Sequence, residues 1–358
     1  MMPKRQDLVR LIETAPGRLA RSAADLWRDW VDATTWRGKT LGVLVLLALA
    51  TLPAWGGTPL VAAMIAVLWL AYAGQAWNLL AGFAGLFSLG HALFIGIGAY
   101  LAAAFALHGG LGPWPGALLA VPAAALAGAG IGALGCRAGL KGVHFTLVTL
   151  ILAEAVRLGA LHLDGLGAAA GLALPHPATA GKPVAFYYAI LILTGLALVV
   201  VRLLLRSRLG YRWLALREDP GAAAASGIDP YRARVAAATI SAALAAPAGV
   251  FLALYLRHVD AEQTLSLSRS LGPVLGAALG GIGTLVGPVL GAFVVVPADQ
   301  ALTWLIGRSH HDLSALKPLA AGLALVLVAV AAPGGLWPGL ARRLGLLKPP
   351  PDQRGDAA

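Results

Sequence analysis

Long apolar stretches dominate the chain, and polar positions interrupt them only at intervals. No Asp, Glu, Lys or Arg lies between Lys39 and Arg137, whereas one membrane-spanning helix needs only about 20 apolar residues. Further uncharged stretches occupy 183–201, 235–256, 270–298 and 319–341. Each of them is long enough for at least one crossing, so the pattern predicts a protein that crosses a membrane many times.

Glycine and proline positions divide the two longest apolar stretches, 40–136 and 271–306, into separate helices. The predicted spans are 40–55, 59–80, 89–108, 114–136, 142–163, 184–205, 234–256, 271–286, 288–306 and 318–334. The pattern therefore predicts an all-α fold, a polytopic integral membrane bundle of about ten transmembrane helices. Glycine-rich positions predict that some of these helices are broken.

The composition separates this chain from the soluble classes. Charged residues make up 12% of the 358 residues, against about 25% in a typical soluble domain. This deficit argues against an ordinary soluble enzyme, a disordered regulator and a nucleic-acid-binding protein. The single cysteine, Cys136, excludes an intrachain disulfide framework and a cysteine-based zinc cluster.

The distribution of charge predicts the orientation in the membrane. The formal net charge of +11 is carried by 1–39, 137–141, 202–234 and 342–358, whereas the remaining charged segments are each neutral overall. With an even number of spans, these four segments fall on one side, which the positive-inside rule makes cytoplasmic. We therefore expect both termini to be cytoplasmic and the basic pI to reflect topology.

Three parts are expected along the chain. Residues 1–39 alternate charged with apolar positions, which predicts an amphipathic N-terminal extension on the cytoplasmic membrane surface rather than a signal peptide. Residues 40–340 form the transmembrane domain. Residues 341–358 contain three consecutive prolines and are predicted to be a disordered cytoplasmic tail.

A glycine-rich segment, 78–100, carries the polar residues Asn78, Ser88 and His91 within an apolar run. So many glycines permit broken helices or close helix approach. The three polar side chains either line a polar path or hydrogen-bond neighbouring helices and hold the bundle together. Residue type by itself favours the second interpretation, because such contacts commonly join membrane helices.

A second glycine-rich segment, 272–292, is typical of tightly packed helices. Gly283, Gly287 and Gly291 are spaced by four, so they are expected to share one helix face. Small faces let two helices touch backbone to backbone. Tight packing is predicted here without any particular function.

The long basic loop 206–233 predicts a short helix. Asp219 is a good N-cap with Pro220 at the first helical position, and Gly227 can supply a left-handed stop. The expected helix, about 220–226, either docks into a groove of a partner or rests on anionic lipid headgroups as a connector.

Ionisable residues in or beside the spans are few. Glu154 and Arg157 lie three apart and can neutralise each other, which favours a structural role. A standalone secondary transporter would need ion-coupling groups within its spans, and only Glu154, Asp164 and Asp299 are available. The histidines are scattered without metal-ligand spacing, so no metal site and no catalytic residue are predicted.

Four segments carry a resemblance to a known family. They read NLLAGFAGLFSLGHALFIGIGAY (78–100), KGVHFTLVTLILAEAVRL (141–158), LREDPGAAAASGIDPYRARVAAATISAALAAPAGVF (216–251) and GGIGTLVGPVLGA (280–292). Together they resemble the LivM-like permeases of branched-chain amino acid ABC importers. Leu86 and Phe87 stand where these permeases usually have Gln, a polar loss that bears on the solute more than on the fold.

The resemblance implies a non-catalytic permease subunit in a bacterial inner membrane, importing branched-chain amino acids, with urea or short amides as the nearest alternative solutes. It implies a second homologous permease, two cytoplasmic ATPases that hold the ATP and Mg²⁺, and a periplasmic solute-binding protein, with no cofactor on this chain. The implied pathway residues are Asn78, Ser88, Gly90, His91 and Thr284. The implied ATPase-coupling residues are Arg217, Glu218, Asp219, Pro220, Ala223 and Gly227.

Overall fold

The computed structural model describes residues 36–108, 112–140, 142–174, 183–307 and 334–346, together with four positions between 319 and 326. This part of the chain is almost entirely helical. The predicted all-α membrane fold is confirmed. Most of the N-terminal extension and of the tail lies outside the described residues, as does most of the predicted span 318–334.

The first half of the bundle contains six helices. These are α1 (Trp36–Trp55), α2 (Gly57–Asn78), α3 (His91–His108), α4 (Trp114–Arg137), α5 (Val143–His162) and α6 (Pro183–Arg206). A π-helical turn, Leu79–Phe83, continues α2, and two 3₁₀ turns, Asp164–Leu166 and Ala168–Ala170, follow α5 before the short strand β1 (Leu172–Ala173).

The second half begins on the basic loop. Its elements are α7 (Arg208–Glu218), α8 (Pro220–Ala225), α9 (Pro230–Leu256), β2 (His258–Val259), α10 (Ala261–Thr264), α11 (Leu267–Gly280), α12 (Gly287–Gly307) and α13 (Leu336–Arg343). Strands β1 and β2 pair antiparallel, with Leu172 opposite Val259. Since α9 runs from the end of α8 to β2, α8 and the strand pair lie at opposite ends of the bundle.

Within the described ranges, six helices are long and apolar enough to cross a membrane. They are Gly57–Phe83, Trp114–Arg137, Val143–His162, Pro183–Arg206, Pro230–Leu256 and Gly287–Ile306. Two shorter apolar helices, Thr40–Trp55 and His91–Leu107, match the first and third predicted spans. Eight of the predicted spans therefore coincide with helices of the structure.

Two sequence-based boundaries were wrong. The predicted span 271–286 is not one helix, because α11 ends at Gly280 and the chain then turns through Gly281 and Gly283 at φ +129° and +74°. The predicted disordered tail begins too early, because α13 continues to Arg343. Its end is closed by a hydrogen bond of 2.9 Å from Leu346 N to Ala341 O.

Small residues set the spacing at the centre of the bundle, where α9 crosses α3 and α4. A Cβ added at Gly98 would overlap the Ala246 carbonyl, and one added at Gly249 would overlap the Ile95 carbonyl. A Cβ at Gly128 would overlap the Ala238 carbonyl and the Ala242 methyl group. Backbone-to-backbone contact of this kind gives membrane helices their packing energy, since lipid offers no hydrophobic driving force between them.

Candidate functional site

Two interruptions of helical structure meet at one place in the bundle. The α2–α3 loop, 84–90, follows the π-helical turn, and the α11–α12 loop, 281–286, replaces the end of the predicted eighth span and precedes α12. Non-helical backbone at membrane depth needs hydrogen-bond partners from the protein, because lipid supplies none. The side chains that supply them define the candidate site.

Asn78 bridges to the α11–α12 loop with its whole amide. Its Nδ2 donates to Thr284 O at 2.9 Å, and its Oδ1 accepts from Gly283 N at 2.8 Å. Gln75, one turn earlier on α2, donates from Nε2 to Leu285 O at 2.6 Å. Both amide side chains are fully buried. They fix the loop to α2 by satisfying backbone groups that would otherwise be unpaired.

Thr284 turns the same loop into the start of α12. Its Oγ1 donates to Gly281 O at 2.7 Å and accepts from Gly287 N at 3.1 Å, which is the geometry of an N-cap. A Cβ at Gly281 would lie 3.1 Å from Gly334 O, so the loop also contacts the chain before α13. The threonine therefore shapes the break between α11 and α12.

His91 and Ser88 are bound within the α2–α3 region. His91 Nε2 lies 2.9 Å from Ser241 Oγ, whose hydroxyl donates to Ala76 O at 2.7 Å. Because that hydroxyl proton is committed to Ala76, the His91 Nε2 must be the donor to Ser241. Its Nδ1 is then a buried acceptor that has no hydrogen-bond partner among the described residues. Ser88 Oγ accepts from Gly90 N at 3.2 Å.

The sequence left two interpretations of Asn78, Ser88 and His91 open, and the geometry favours one of them in this conformation. All three are at most 1% exposed, and each hydrogen-bonds neighbouring backbone or a neighbouring helix. Asn78 and His91 join separate elements here, and Ser88 bonds the backbone of its own loop. Gly90 belongs to the same packing, because a Cβ at this position would overlap the Thr149 carbonyl of α5. A role of these residues along a solute path stays a prediction.

Glycines bring α11 and α12 into backbone contact, but not by the face that the sequence predicted. A Cβ at Gly280 would overlap the Gly287 carbonyl, and one at Gly291 would overlap the Gly276 carbonyl. Gly283 does not share a helix face with Gly287 and Gly291, because it lies in the α11–α12 loop in a left-handed conformation. Spacing by four implies a common face only where the helix is continuous.

The short helix predicted on the basic loop is present as α8. Asp219 Oδ1 accepts from Gly221 N at 2.8 Å and from Ala222 N at 3.0 Å, which caps the first turn. Gly227 follows the helix at φ +85°. Ala223 is buried, whereas the other residues of α8 are exposed. The helix therefore presents most of its surface away from the chain.

Helix α7 holds α8 against the bundle. Trp213 is fully buried, and its Nε1 donates to Ala233 O of α9 at 2.8 Å. At the end of α7, Arg217 donates from Nη1 to Gly82 O at 2.5 Å, next to the exposed Glu218. Sequence reasoning missed Trp213, because a tryptophan on an amphipathic helix gives no sign of its partner.

Arg217 contacts both loops of the candidate site. A Cβ at Gly85 would lie 3.3 Å from its Cγ, and one at Gly283 would overlap its Nη1. Gly85 and Gly283 have φ of +72° and +74°, so glycine serves both the turn and the close approach. One arginine therefore connects the exposed α7–α8 segment with the α2–α3 loop and the α11–α12 loop.

The ionisable groups of α5 form an ion-pair cluster at the other end of the bundle. Arg157 binds Glu154 at 2.5 Å and also binds Glu262 of α10. The structural role predicted for the first pair agrees with this link between α5 and α10. Across the described residues, no three His, Cys, Asp or Glu side chains are grouped so that they could hold a metal ion.

Comparisons with known proteins identify relatives of this chain. Residues 59–331 match the family model described as branched-chain amino acid transport system / permease component. The high-affinity branched-chain amino acid transport system permease protein LivM of Escherichia coli (strain K12) is 30% identical, over 74% of this chain and 67% of the relative. The protein of the same description from Salmonella typhimurium matches with the same values. No solved structure matches the chain.

Proposed function

Because the chain belongs to the family of branched-chain amino acid transport system permease components, we propose that it is one membrane subunit of an ABC importer for these amino acids. It is a multi-pass membrane protein. The observation that carries the proposal is the family match over residues 59–331, a range that includes both loops of the candidate site and α8. The subunit is non-catalytic and leaves ATP hydrolysis to partner chains.

The proposed assembly contains a second homologous permease, two cytoplasmic ATPases and a periplasmic solute-binding protein. The exposure of α12 supports a second membrane subunit. From Pro297 to Leu305 most of its side chains are exposed, and among them are Asp299 and Gln300. Exposed carboxylate and amide groups within a span are costly against lipid, so this surface suits a protein neighbour or an aqueous path.

The α8 helix is the proposed contact with an ATPase. This helix is short, capped and mostly exposed, and it belongs to the basic segment 202–234. The positive-inside rule places that segment in the cytoplasm. Both termini are then cytoplasmic, and the membrane is the bacterial inner membrane. The coupling residues in this proposal are Arg217 to Pro220, Ala223 and Gly227.

Movement of α8 would reach the membrane domain through two side chains. Trp213 transmits force to α9, and Arg217 transmits it to the α2–α3 and α11–α12 loops. Loops and small-residue contacts can repack between discrete arrangements, which is how small displacements produce outward- and inward-facing states. The proposed path of the solute runs beside these loops.

Purification of the tagged chain from native membranes in mild detergent, followed by mass spectrometry, tests this proposal. Two ATPases and a second permease are expected in the purified complex. The complex is then reconstituted in liposomes with the co-encoded binding protein, and ATP-dependent uptake of radiolabelled L-leucine is measured with and without excess urea. Recovery of the chain alone, with transport in the absence of ATP, would replace the importer by a secondary transporter.

A further inference from the structure

The chain between α9 and α11 returns into the bundle instead of staying at its end. Leu265 occupies the space beside Gly96 of α3, where a Cβ would overlap its side chain. Ser270 is fully buried, and its Oγ accepts from Ala92 N at the start of α3 at 2.8 Å. The start of α11 therefore lies well inside the bundle, and the sequence-based boundary of this span had placed it at a membrane surface.

Arg269, on the first turn of α11, lies close to the middle of α2. Its guanidinium carbon is 5.1 Å from the centre of the Trp69 ring, and Trp69 lies near the midpoint of α2. The ring is held in place by a hydrogen bond of 2.9 Å from Nε1 to Ala248 O. A cation stacked on a fixed, buried ring has a defined position and orientation.

The guanidinium has unused hydrogen-bonding capacity. Its Nε donates to Gln263 O at 2.7 Å, and this is its one hydrogen bond to the part of the chain that the structure describes. An arginine carries five N–H donors, so the four on its two terminal nitrogens are available. No described carboxylate lies within ion-pair distance of Arg269. Asp260 interacts with this charge only electrostatically and beyond ion-pair distance, so the terminal nitrogens of Arg269 remain available to an anion.

The surroundings of Arg269 are open and polar. Glu262, Gln263 and Ser268 are exposed, although the neighbouring Leu265 and Ser270 are buried. Exposed polar side chains and non-helical backbone at membrane depth are tolerated where they line a water-filled cavity, and not against lipid. The exposed side of segment 260–269 therefore faces water at the strand-pair end of the bundle rather than lipid.

We propose that Arg269 binds the carboxylate of the transported amino acid on this exposed side of the segment, with Trp69 holding the guanidinium in place. The planar guanidinium matches a carboxylate with two parallel hydrogen bonds, which an ammonium group cannot do. This inference rests on the proposed importer function and adds to it the group that recognises the solute. It also predicts preference for carboxylate-bearing solutes over urea and simple amides.

Substitution in the reconstituted complex tests the role of Arg269. Arg269→Gln and Arg269→Lys are compared with Arg343→Gln, which removes the same charge from an exposed position on α13. Uptake of radiolabelled L-leucine is expected to fall about tenfold to hundredfold in Arg269→Gln, because a charged hydrogen-bonded pair is lost. It should fall less in Arg269→Lys and stay unchanged in the control, while ATPase activity stimulated by the binding protein persists in all three.

Two further results separate the possible failures. If the wild-type complex takes up no L-leucine, the proposed function fails. If it takes up L-leucine and Arg269→Gln transports equally well, only the assignment of Arg269 is overturned.

Arginine modification of the wild-type complex by phenylglyoxal, read by mass spectrometry, does not depend on folding of a variant. Arg269 should react, and L-leucine with the binding protein should protect it. Modification of Arg343 without Arg269, or a lack of protection, would contradict the proposal.

Discussion

At the scale of single residues, the two loops depend on a small number of buried polar side chains. Asn78 uses both ends of its amide on the α11–α12 loop, and Thr284 uses its hydroxyl twice within that loop. In a membrane these bonds have no competitor from water, so a lost partner leaves a backbone group unsatisfied. The same side chains that looked like candidates for a polar path are therefore needed to keep the break in its shape.

Asn78→Ala should lower the free energy of unfolding by about 2–4 kcal/mol, because the Gly283 amide and the Thr284 carbonyl both lose a buried partner. Ser226→Ala is the matched control. It removes an exposed bond of 2.9 Å from Oγ to Ala222 O and should change stability by less than about 0.5 kcal/mol. Thermal unfolding of the purified chain in detergent measures both. Equal stability of the two variants would show that Asn78 does not support the loop.

At the scale of elements, glycine contacts and one arginine decide how helices meet. The α11–α12 crossing is closed by Gly280, Gly287 and Gly291, each with a carbonyl oxygen where its Cβ would be. The α7–α8 segment is attached at Trp213 and Arg217. The glycine crossing depends on close approach of backbone and is sensitive to the addition of a few atoms. The α7–α8 attachment depends on two side chains that bond backbone carbonyls.

Gly291→Ala should destabilise the chain by about 1–3 kcal/mol, because its Cβ would overlap the Gly276 carbonyl and force α11 and α12 apart. Gly195→Ala serves as the control. Nothing lies within 4 Å of a Cβ at this position of α6, so the change should stabilise the helix by up to about 1 kcal/mol. Thermal midpoints in detergent give the comparison. If the thermal midpoints of both variants shifted in the same direction, α11 and α12 would be packed less tightly than described.

A larger side chain at the same crossing should block transport as well. Gly287→Leu introduces a side chain where even a Cβ would overlap the Gly281 carbonyl, so the first turn of α12 must move away from the α11–α12 loop. We expect loss of assembly with the second permease or loss of L-leucine uptake. Co-purification and the liposome assay measure the two outcomes. Normal uptake by Gly287→Leu would count against a packed crossing in the working transporter.

Arg217→Glu should separate ATP hydrolysis from transport. The substitution removes the bond to Gly82 O and places a negative charge beside the two loops, so uptake should fall about tenfold or more while ATPase activity continues. Arg212→Glu makes the same charge change at an exposed position of α7 and should leave coupling intact. ATPase activity and uptake are measured on the same liposomes. If ATP hydrolysis stays coupled to uptake when the charges of both Arg217 and Glu218 are reversed, α8 does not act on the two loops through Arg217.

At the scale of the whole molecule, the bundle has two different ends. One end carries α7, α8 and the described basic residues of 202–234 with Arg137, and the other carries the strand pair, α10 and the ion pairs of Arg157. The charge distribution predicts which end is cytoplasmic. An importer needs this asymmetry, because ATPases act at one end and the solute arrives at the other.

The orientation is tested with single cysteines in a Cys136→Ala background. Ser226→Cys, on the α8 end, should react with a membrane-impermeant maleimide only when the cytoplasmic face of inverted vesicles is exposed. Leu163 follows α5 at the strand-pair end of the bundle and is 54% exposed. Leu163→Cys should therefore react in intact cells whose outer membrane has been permeabilised. The reverse pattern would invert the topology and with it the assignment of α8 as the ATPase contact.

Local features of this protein were readable from the sequence, because their causes lie within a few neighbouring positions. The length of apolar stretches predicted eight helices of the described structure, and the Asp219–Pro220 pair with Gly227 predicted α8. The same local logic failed where the helix itself ended. Gly283 was assigned to a helix face, although the glycines around it end α11 and turn the chain.

The tertiary structure alone decided which polar groups meet. Asn78 binds a loop 205 residues away, His91 binds Ser241 at a separation of 150, and Arg217 binds Gly82 at a separation of 135. Nothing in the sequence around any of them specifies its partner, because packing of distant helices brings the pair together. For the same reason Arg269, which borders a span in the sequence, lies on Trp69 inside the bundle. The sequence by itself determined a membrane bundle with a short capped helix on the basic loop, and the fold determined its contacts.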